Sequence, residues 1–598
     1  MFVIRYSAFG LFILLSSCSF ISKEELQFRQ GGTAGCDLQL YVDQDGDGFG
    51  SGPKVENCSD KTGLVENDSD CNDADPNVNP NVVENCATPE DDNCDGSANE
   101  IDGENCTTWY ADSDDDSFGA NDDLLCACSP YNEYSSATSG DCDDTDPNTN
   151  PDQTEVCGDG KDNNCDGLAN GCGLPSLLSS NDASYYVDGE TAGDNAGVAV
   201  STGGQVLDKT PSFMVNAPYY GDGDVGRSYI VGVDNNNLVP DYTTVTGAVA
   251  GGILGFAAVQ PADLNQDNFD DLVIAAPFAA TADGDGVGAV YLLNGPLYDD
   301  VFVDDSDALL LGQNANDRFG WTITHGDFSA DGTSYLAIGA YGVDSGYANN
   351  GAVYLFATPL PEFSTVNDAT FTIYGGGAQS YVGYAMAAGQ DYSGDGIFDL
   401  VTGGYKIANE TGSVYQLNGP ITTDGNFNDA SVRWDGANPD SRFGIVLSSA
   451  GDLDGNGVPE IAATSSINNQ VYILDGQQQG TFTSDDCDLI FVNIAGNGSA
   501  LQVSSLADSN GDQQSDFAIG APSGNIVYIF YGPLGNGVID VNDADVIIEG
   551  STSEQLGSSI SFADLNVDGL QDILIGARTN STTANRAGRA YVFIGEGL

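Results

Sequence analysis

The chain has 598 residues and a formal net charge of −75, from 90 Asp and Glu against 15 Lys and Arg. Such a polyanion repels nucleic acid and anionic lipid, which excludes nucleic acid as a partner. With 40% apolar residues, 9% aromatics and 77 Gly, it still suits many short strands joined by tight turns, and cations are needed to offset its self-repulsion.

The chain opens MFVIRYSAFGLFILLSSCS. Arg5 supplies a positive start and Ala8 to Leu15 a short apolar core. That core is too short to span a bilayer, so residues 1–17 read as an export signal. Its end, Leu15-Ser16-Ser17-Cys18, resembles the bacterial lipobox. The resemblance implies cleavage before Cys18 and diacylation of its sulfur; an ordinary signal peptide with a chance cysteine is the alternative. Residues 18–35 read as a tether. No later apolar run has membrane length. The expectation is an exported protein, lipid-anchored at the outer membrane or cell surface, touching the membrane only through its N-terminal lipid.

Twelve of the other thirteen cysteines are Cys36, Cys58, Cys71, Cys86, Cys94, Cys106, Cys126, Cys128, Cys142, Cys157, Cys165 and Cys172. An even number packed into one exported segment implies disulfides. Cys487 stands alone and reads as a small buried apolar residue. The segment is an internal repeat, 36–106 and 107–173. YVDQDGDGFG and DCNDADPNVNP in the first copy return as YADSDDDSFG and DCDDTDPNTNP in the second. Assigning Cys106 to the first copy gives six cysteines each, whose pairing stays open. Units this small with so few large apolar residues need disulfides and metal in place of a core. Asp43, Asp45 and Asp47, with the Phe49 carbonyl, have the alternate spacing of a calcium loop, as do Asp112, Asp114, Asp116 and Phe118. Oxygen-only ligation favours calcium. Asp70, Asp73 and Asp75, and Asp141, Asp144 and Asp146, either complete the same ions or bind others. The repeat also resembles the metal-binding motif of bacterial surface proteins. Acidic turns held by disulfides alone are the alternative.

Residues 174–598 hold a longer array. Its acidic stretches begin at Asp263, Asp327, Asp391, Asp452, Asp508 and Asp564, each running into an apolar strand, as in DLNVDGLQDILIGA. A worn seventh copy, Ser212 to Pro218, precedes them without its acidic loop. An FG-like pair opens each repeat (Phe319-Gly320, Val382-Gly383, Phe443-Gly444, Leu556-Gly557), and a strand such as GAVYLL closes it. Such units give small antiparallel sheets that must cover one another, and a ring does so.

The FG opening, the D-x-[DNS]-x-[DN]-G loop and the GAP-like ending resemble the FG-GAP repeats of the integrin α-subunit propeller. The resemblance implies an all-β, seven-bladed β-propeller with calcium in the loops. Ligands at positions 1, 3 and 5, a carbonyl at 7 and a carboxylate at 9 suit six to eight oxygens around Ca²⁺. The sets are Asp263, Asn265, Asp267, Phe269 and Asp271; Asp391, Ser393, Asp395, Ile397 and Asp399; and Asp452, Asp454, Asn456, Val458 and Glu460. Asp508, Asn510, Asp512, Gln514 and Asp516, and Asp564, Asn566, Asp568, Leu570 and Asp572, follow. In the loop of Asp327, Ser329 and Asp331, Tyr335 takes the ninth position, so that site is expected to be weak or empty. Hairpins closed by Asx-turns alone are the alternative.

These features predict a calcium-stabilised, lipid-anchored bacterial surface protein, a binding or adhesion module with a protein or glycan ligand on the propeller rim. A carbohydrate-cleaving or ester-cleaving enzyme is a second reading. It is weakened by the single histidine, His325, and by the absence of a G-x-S-x-G elbow. Trp109, Trp321 and Trp434 are the only tryptophans for sugar stacking and are expected in the core. Surface metal sequestration is a third reading.

Overall fold

The computed structural model describes residues 39–55, 61–99, 101–121, 123–153, 161–165 and 174–595, apart from 208–209, 235–236, 239–241, 259–261, 283, 407–409, 497–500, 507, 552 and 568. The export signal with Cys18, and Cys36, Cys58, Cys157, Cys172 and Asp568, lie outside the described residues. The chain forms two compact units that divide between Ser139 and Gly140, inside the second cysteine-rich repeat.

The first unit has little regular structure. Tyr41–Val42 pairs with Leu64–Val65, and Thr107–Ala111 lies between Leu124–Ala127 and Tyr134–Ser136. Its buried apolar residues are small and few, among them Leu40, Val78, Ala111 and Ala127. Crosslinks replace the missing core: Cys71–Cys94, Cys86–Cys128 and Cys106–Cys126. The second unit's Cys142–Cys165 repeats the first of these at the same separation of 23 residues. The pairing that the sequence leaves open is not confined to each copy, because Cys86 and Cys106 bond to cysteines of the second copy. The end of the first copy lies along a strand of the second, and the Asp102 N–H donates to the Cys126 carbonyl at 2.8 Å. That contact sets the two pairs side by side.

The second unit contains seven sheets among the described residues. Each is an antiparallel meander of four strands; the second sheet runs Ala257–Ala258, Leu272–Ala276, Ala289–Leu293, Ala308–Leu311. The apolar runs after the acidic loops are the second strands. Leu272–Ala276, Tyr335–Ala340, Asp399–Gly404, Glu460–Ser465, Asp516–Ala521 and Asp572–Ala577 are buried along their whole length. Covered on both faces, they show no polar alternation. The worn copy at Ser212 falls on the second strand of the first sheet, Thr210–Ala217. First strands of successive sheets touch, and the last, Leu556–Ala563, touches the first, Ala199–Leu207. The row therefore closes into the ring of a β-propeller.

Six of the sheets carry a short parallel strand beyond the three or four expected, and the first also pairs Asn237–Leu238. The link between the third and fourth strands of a sheet lends a short parallel strand to the preceding sheet. Val301–Phe302 pairs with Thr243–Thr246, turns through a 3-10 helix at Val303–Asp305, and only then becomes Ala308–Leu311 of its own sheet. The loans are two to four residues long, too short for a hydrophobic pattern to announce them. Ring closure uses the same device. Leu177–Ser179 pairs with Val546–Glu549, and Tyr185–Asp188 completes the last sheet beside Arg589–Phe593. The Arg589 guanidinium donates twice to the Asp188 carboxylate, at 2.5 and 2.8 Å.

The FG pair and the glycine that opens the third strand meet at the joint between sheets. Phe319, Val382, Phe443 and Leu556 are fully buried. Gly351 bridges to Val382 and Gly412 to Phe443, each glycine with positive φ. A Cβ at Gly351 would collide with the Val382 carbonyl oxygen. Gly351→Ala should therefore lower the unfolding free energy by about 3 kcal/mol or more, from a left-handed backbone and an overpacked joint together. Gly535→Ala, in open space, should change it little. Urea denaturation of the two variants makes the comparison.

Candidate cation-binding loops

Six loops of the second unit precede the second strands, and their hydrogen bonds show why they turn alike. At 263–271 the Asp263 carboxylate accepts from the N–H groups of Asp267 and Asn268, and Asp267 accepts from Phe269. At 452–460 Asp452 accepts from Asn456 and Gly457, and Asn456 from Val458. Asp327, Asp391, Asp508 and Asp564 each accept from the sixth residue of their loop. That sixth residue has positive φ throughout: Asn268, Gly332, Gly396, Gly457, Gln513 and Gly569. The fourth does too, including the β-branched Val567 at 61°, a costly conformation for that residue type. These turns fold the odd-numbered side chains onto one side of the loop.

The ninth residue is an acid in five of these loops and is buried. Asp271 accepts from the N–H groups of Leu264, Asn265 and Gly295. Asp516 accepts from Ser509 and Gly532, and Asp572 from Leu565 and Gly595. The carboxylate thus ties the start of the loop to the glycine after the third strand. It has a structural use of its own, which the sequence pattern does not reveal. Burial raises the carboxyl pKa of Asp271, lifts that of Asp399 to about 6, and lifts Glu460 and Asp516 to about 7.

The acids converge to different degrees. Ligand atoms of Asp452, Asp454 and Glu460 all lie within 4.8 Å of one another. At 263–271 the Asn265 amide sits between Asp267 and Asp271, at 3.0 and 3.4 Å. At 391–399 the Ser393 hydroxyl meets Asp391, and at 508–516 the Asn510 amide meets Asp512. In the loop with Tyr335 at position nine, the phenol reaches Asp331 at 3.4 Å and no buried acid stands behind it.

The first unit gathers acids in the same way. Asp112, Asp114 and Asp116 form one group within 4.8 Å. Asp45 belongs to two, one with Asp43 and Asp73 and one with Asp47 and Asp70. Asp70 and Asp73 come from the second acidic stretch of the first copy, so in that copy the two stretches come together. Buried Oδ2 atoms of Asp45, Asp47 and Asp70 have no hydrogen-bond partner, and Asp70 is only 6% exposed. Burial, with repulsion among neighbouring carboxylates, raises the pKa of Asp45 and Asp70. Orphaned carboxylate oxygens facing each other fit a hard divalent cation, which would replace the missing donors.

His325 lies within the strand Thr322–Gly326, and burial lowers its pKa. Cys487 is free and half-buried against a core cluster, and burial pushes its thiol up to about 12.

Comparison with known proteins agrees with this geometry. The FG-GAP repeat profile matches residues 256–293 and 556–593. The profile described as "Putative metal-binding motif" (Cu-binding_MopE) matches 70–100 and 141–169. Integrin alpha-5 of Xenopus laevis is 30% identical over 246 residues, 40% of this chain and 21% of that protein. Integrin alpha-PS5 of Drosophila melanogaster is 30% identical over 185 residues, 30% and 18%. Phosphatidylinositol-glycan-specific phospholipase D of Bos taurus is 33% identical over 153 residues, 24% and 18%. The chain spans about a fifth of the length of these relatives. A solved structure, BBS1N in complex with ARL6DN soaked with lead, aligns over 71% of this chain and 98% of that one, at 10% identity and a TM-score of 0.40. The chain thus carries FG-GAP repeats of the integrin α kind behind two copies of the metal-binding motif.

The buried ninth acids set a pH dependence. Their folded pKa values lie above the unfolded ones, so the folded state holds more protons between about pH 4 and pH 7. In chelator, stability should fall as pH rises through that window. A bound cation favours the ionised acids, so millimolar calcium should flatten or reverse the trend. Denaturation midpoints at the two ends of the window, with and without calcium, measure it.

Proposed function

We propose that this chain is a calcium-stabilised bacterial surface protein, anchored through a lipid on Cys18, whose propeller is a binding or adhesion module. In this reading residues 1–17 are removed, 18–35 form the tether, 36–106 and 107–173 are the metal-binding repeats, and 174–598 is the propeller. The carrying observation is the convergence of Asp452, Asp454 and Glu460 within 4.8 Å on a loop whose turns recur before five other strands. All donors are oxygens, which suits calcium above softer metals. Each ion neutralises acids beside a buried strand and fixes the hairpin there, so its part is structural. FG-GAP repeats and integrin α relatives support a binding role. Among the described residues no helix is long and apolar enough to cross a membrane.

The test is calcium binding and thermal melting of the full chain. Extracellular calcium sites have dissociation constants of about 10⁻⁴–10⁻³ M. A site at about ten times its dissociation constant adds roughly 1.4 kcal/mol. Millimolar calcium should therefore raise the melting midpoint by several degrees over chelator. Asp454→Ala, at an exposed ligand, should remove one bound ion and leave the chelated protein's midpoint nearly unchanged. Asp331→Ala, in the loop with Tyr335 at position nine, should leave the calcium count unchanged. An identical midpoint with and without calcium would discard the structural-calcium reading.

A further inference from the structure

The second unit is acidic overall, and most of its cations sit against carboxylates. Lys161, Arg227, Arg433, Arg442 and Arg589 pair with Asp146, Glu190, Asp435, Glu410 and Asp188. Among the described residues of this unit, Arg318, Lys406, Arg578 and Arg586 form no such pair. Two of them, Arg578 and Arg586, share one place, and the other two stand over aromatic rings connected with it.

That place is a cavity of about 960 Å³ enclosed by the first strands of the ring. Arg578 and Arg586 line it, together with Tyr219 and Asp224. Phe256, Trp321 and Tyr384 line it from three successive sheets, each directly after the glycine of its FG pair. These rings continue outward as one band. Trp321 lies 4.5 Å from Phe256, 4.7 Å from Tyr341 and 5.2 Å from Tyr384. Tyr384 in turn lies 4.5 Å from Tyr405. Arg318 covers the Phe278 ring at one end of the band, and Lys406 sits over Tyr381 and Tyr405 at the other. Every ring of the band is partly exposed. Trp321, expected in the core, is thus part of an accessible surface, whereas Trp434 is buried.

Unpaired cations in a chain of charge −75 are not a by-product of composition. Arg578 is half-buried, donates only to the uncharged Gln555 side chain, and has its pKa lowered by burial. Keeping such a group without a carboxylate is costly unless an anion arrives. Partly exposed aromatic rings, several with hydroxyl edges, suit flat, amphipathic rings, and a pyranose offers such a face in its C–H groups. An extended polyanion would be repelled by the rest of the surface, so the ligand carries few charges.

We propose that this cavity and its aromatic band bind a short acidic oligosaccharide. Its sugar rings stack on Trp321, Tyr384 and Tyr405, and its carboxylates meet Lys406, Arg578 and Arg586. The assignment rests on the propeller being a binding module and names the class of ligand for it.

The experiment titrates the full chain, in calcium, with a hyaluronan hexasaccharide. Heat and tryptophan fluorescence are followed. The uncharged hexamer of N-acetylglucosamine and an all-aspartate hexapeptide serve as comparisons. The expected result is saturable binding of the hyaluronan hexamer with a change in Trp321 emission. Trp321→Phe should remove the optical change while the heat remains. Arg586→Gln and Lys406→Gln, on side chains without ion pairs, should each weaken binding by about tenfold with the calcium-dependent melt intact. Equal binding of the uncharged hexamer, unaffected by Arg586→Gln, would overturn the acidic assignment. Binding of the peptide alone would overturn the saccharide and leave the binding-module reading standing. No binding of any probe by protein that still melts with calcium dependence would overturn this site without touching the structural-calcium reading.

Discussion

The second unit depends on a carboxylate placed where carboxylates are least welcome. Asp271, Asp399, Asp516 and Asp572 are fully buried at the entrance of the second strand. Each holds the loop before that strand to the chain after the third strand. Three segments of a sheet are fixed by one side chain. The cost is desolvation, visible in the raised pKa values of Asp271, Asp399 and Asp516, and two solutions are open: a proton or a cation. The loop turns then have a second purpose. They bring further oxygens to the same spot, so that the cation is held by several groups rather than by the buried acid alone.

The repeats made much of this legible. The positive φ at the sixth loop position, met by glycine, by Asn268 and by Gln513, and the unbroken apolar run after the ninth occupy the places that their spacing implies. The FG pair was visible as a motif but not as a joint, because its partner glycine lies about thirty residues back in the preceding sheet. The loaned parallel strands were illegible for a different reason. Two to four residues at a sheet margin carry no periodicity, and their partners lie in another repeat. The pairing of the cysteines stayed open for want of geometry: six cysteines per copy is a count, whereas Cys86–Cys128 and Cys106–Cys126 follow from one copy's end lying on the other's strand. That Asp70 comes together with Asp45 and Asp47 follows from their positions in space, which the sequence does not show.

The aromatic band was hidden by the same arithmetic. Phe256, Trp321 and Tyr384 stand more than sixty residues apart, each in an ordinary repeat. The position after the FG glycine is a hydrophobic residue in most repeats, and nothing local distinguishes an aromatic there from a core residue. The ring places those positions side by side around its axis. A surface made of one residue per repeat is legible only once the repeats are aligned by register and the ring is known to close.

Ring closure also carries a consequence for synthesis. The last sheet takes three strands from the end of the chain and its fourth, Tyr185–Asp188, from residues made some four hundred positions earlier. Until the final strand Arg589–Phe593 exists, Tyr185–Asp188 has no neighbour to pair with, and the incomplete row has two raw edges. Such edges invite pairing with other chains, and contacts of so long a range form late. A chain interrupted even forty residues short therefore cannot settle into a slightly smaller version of the same object. It stays open, sticky and accessible to proteases, so completeness of the polypeptide is checked by the architecture itself.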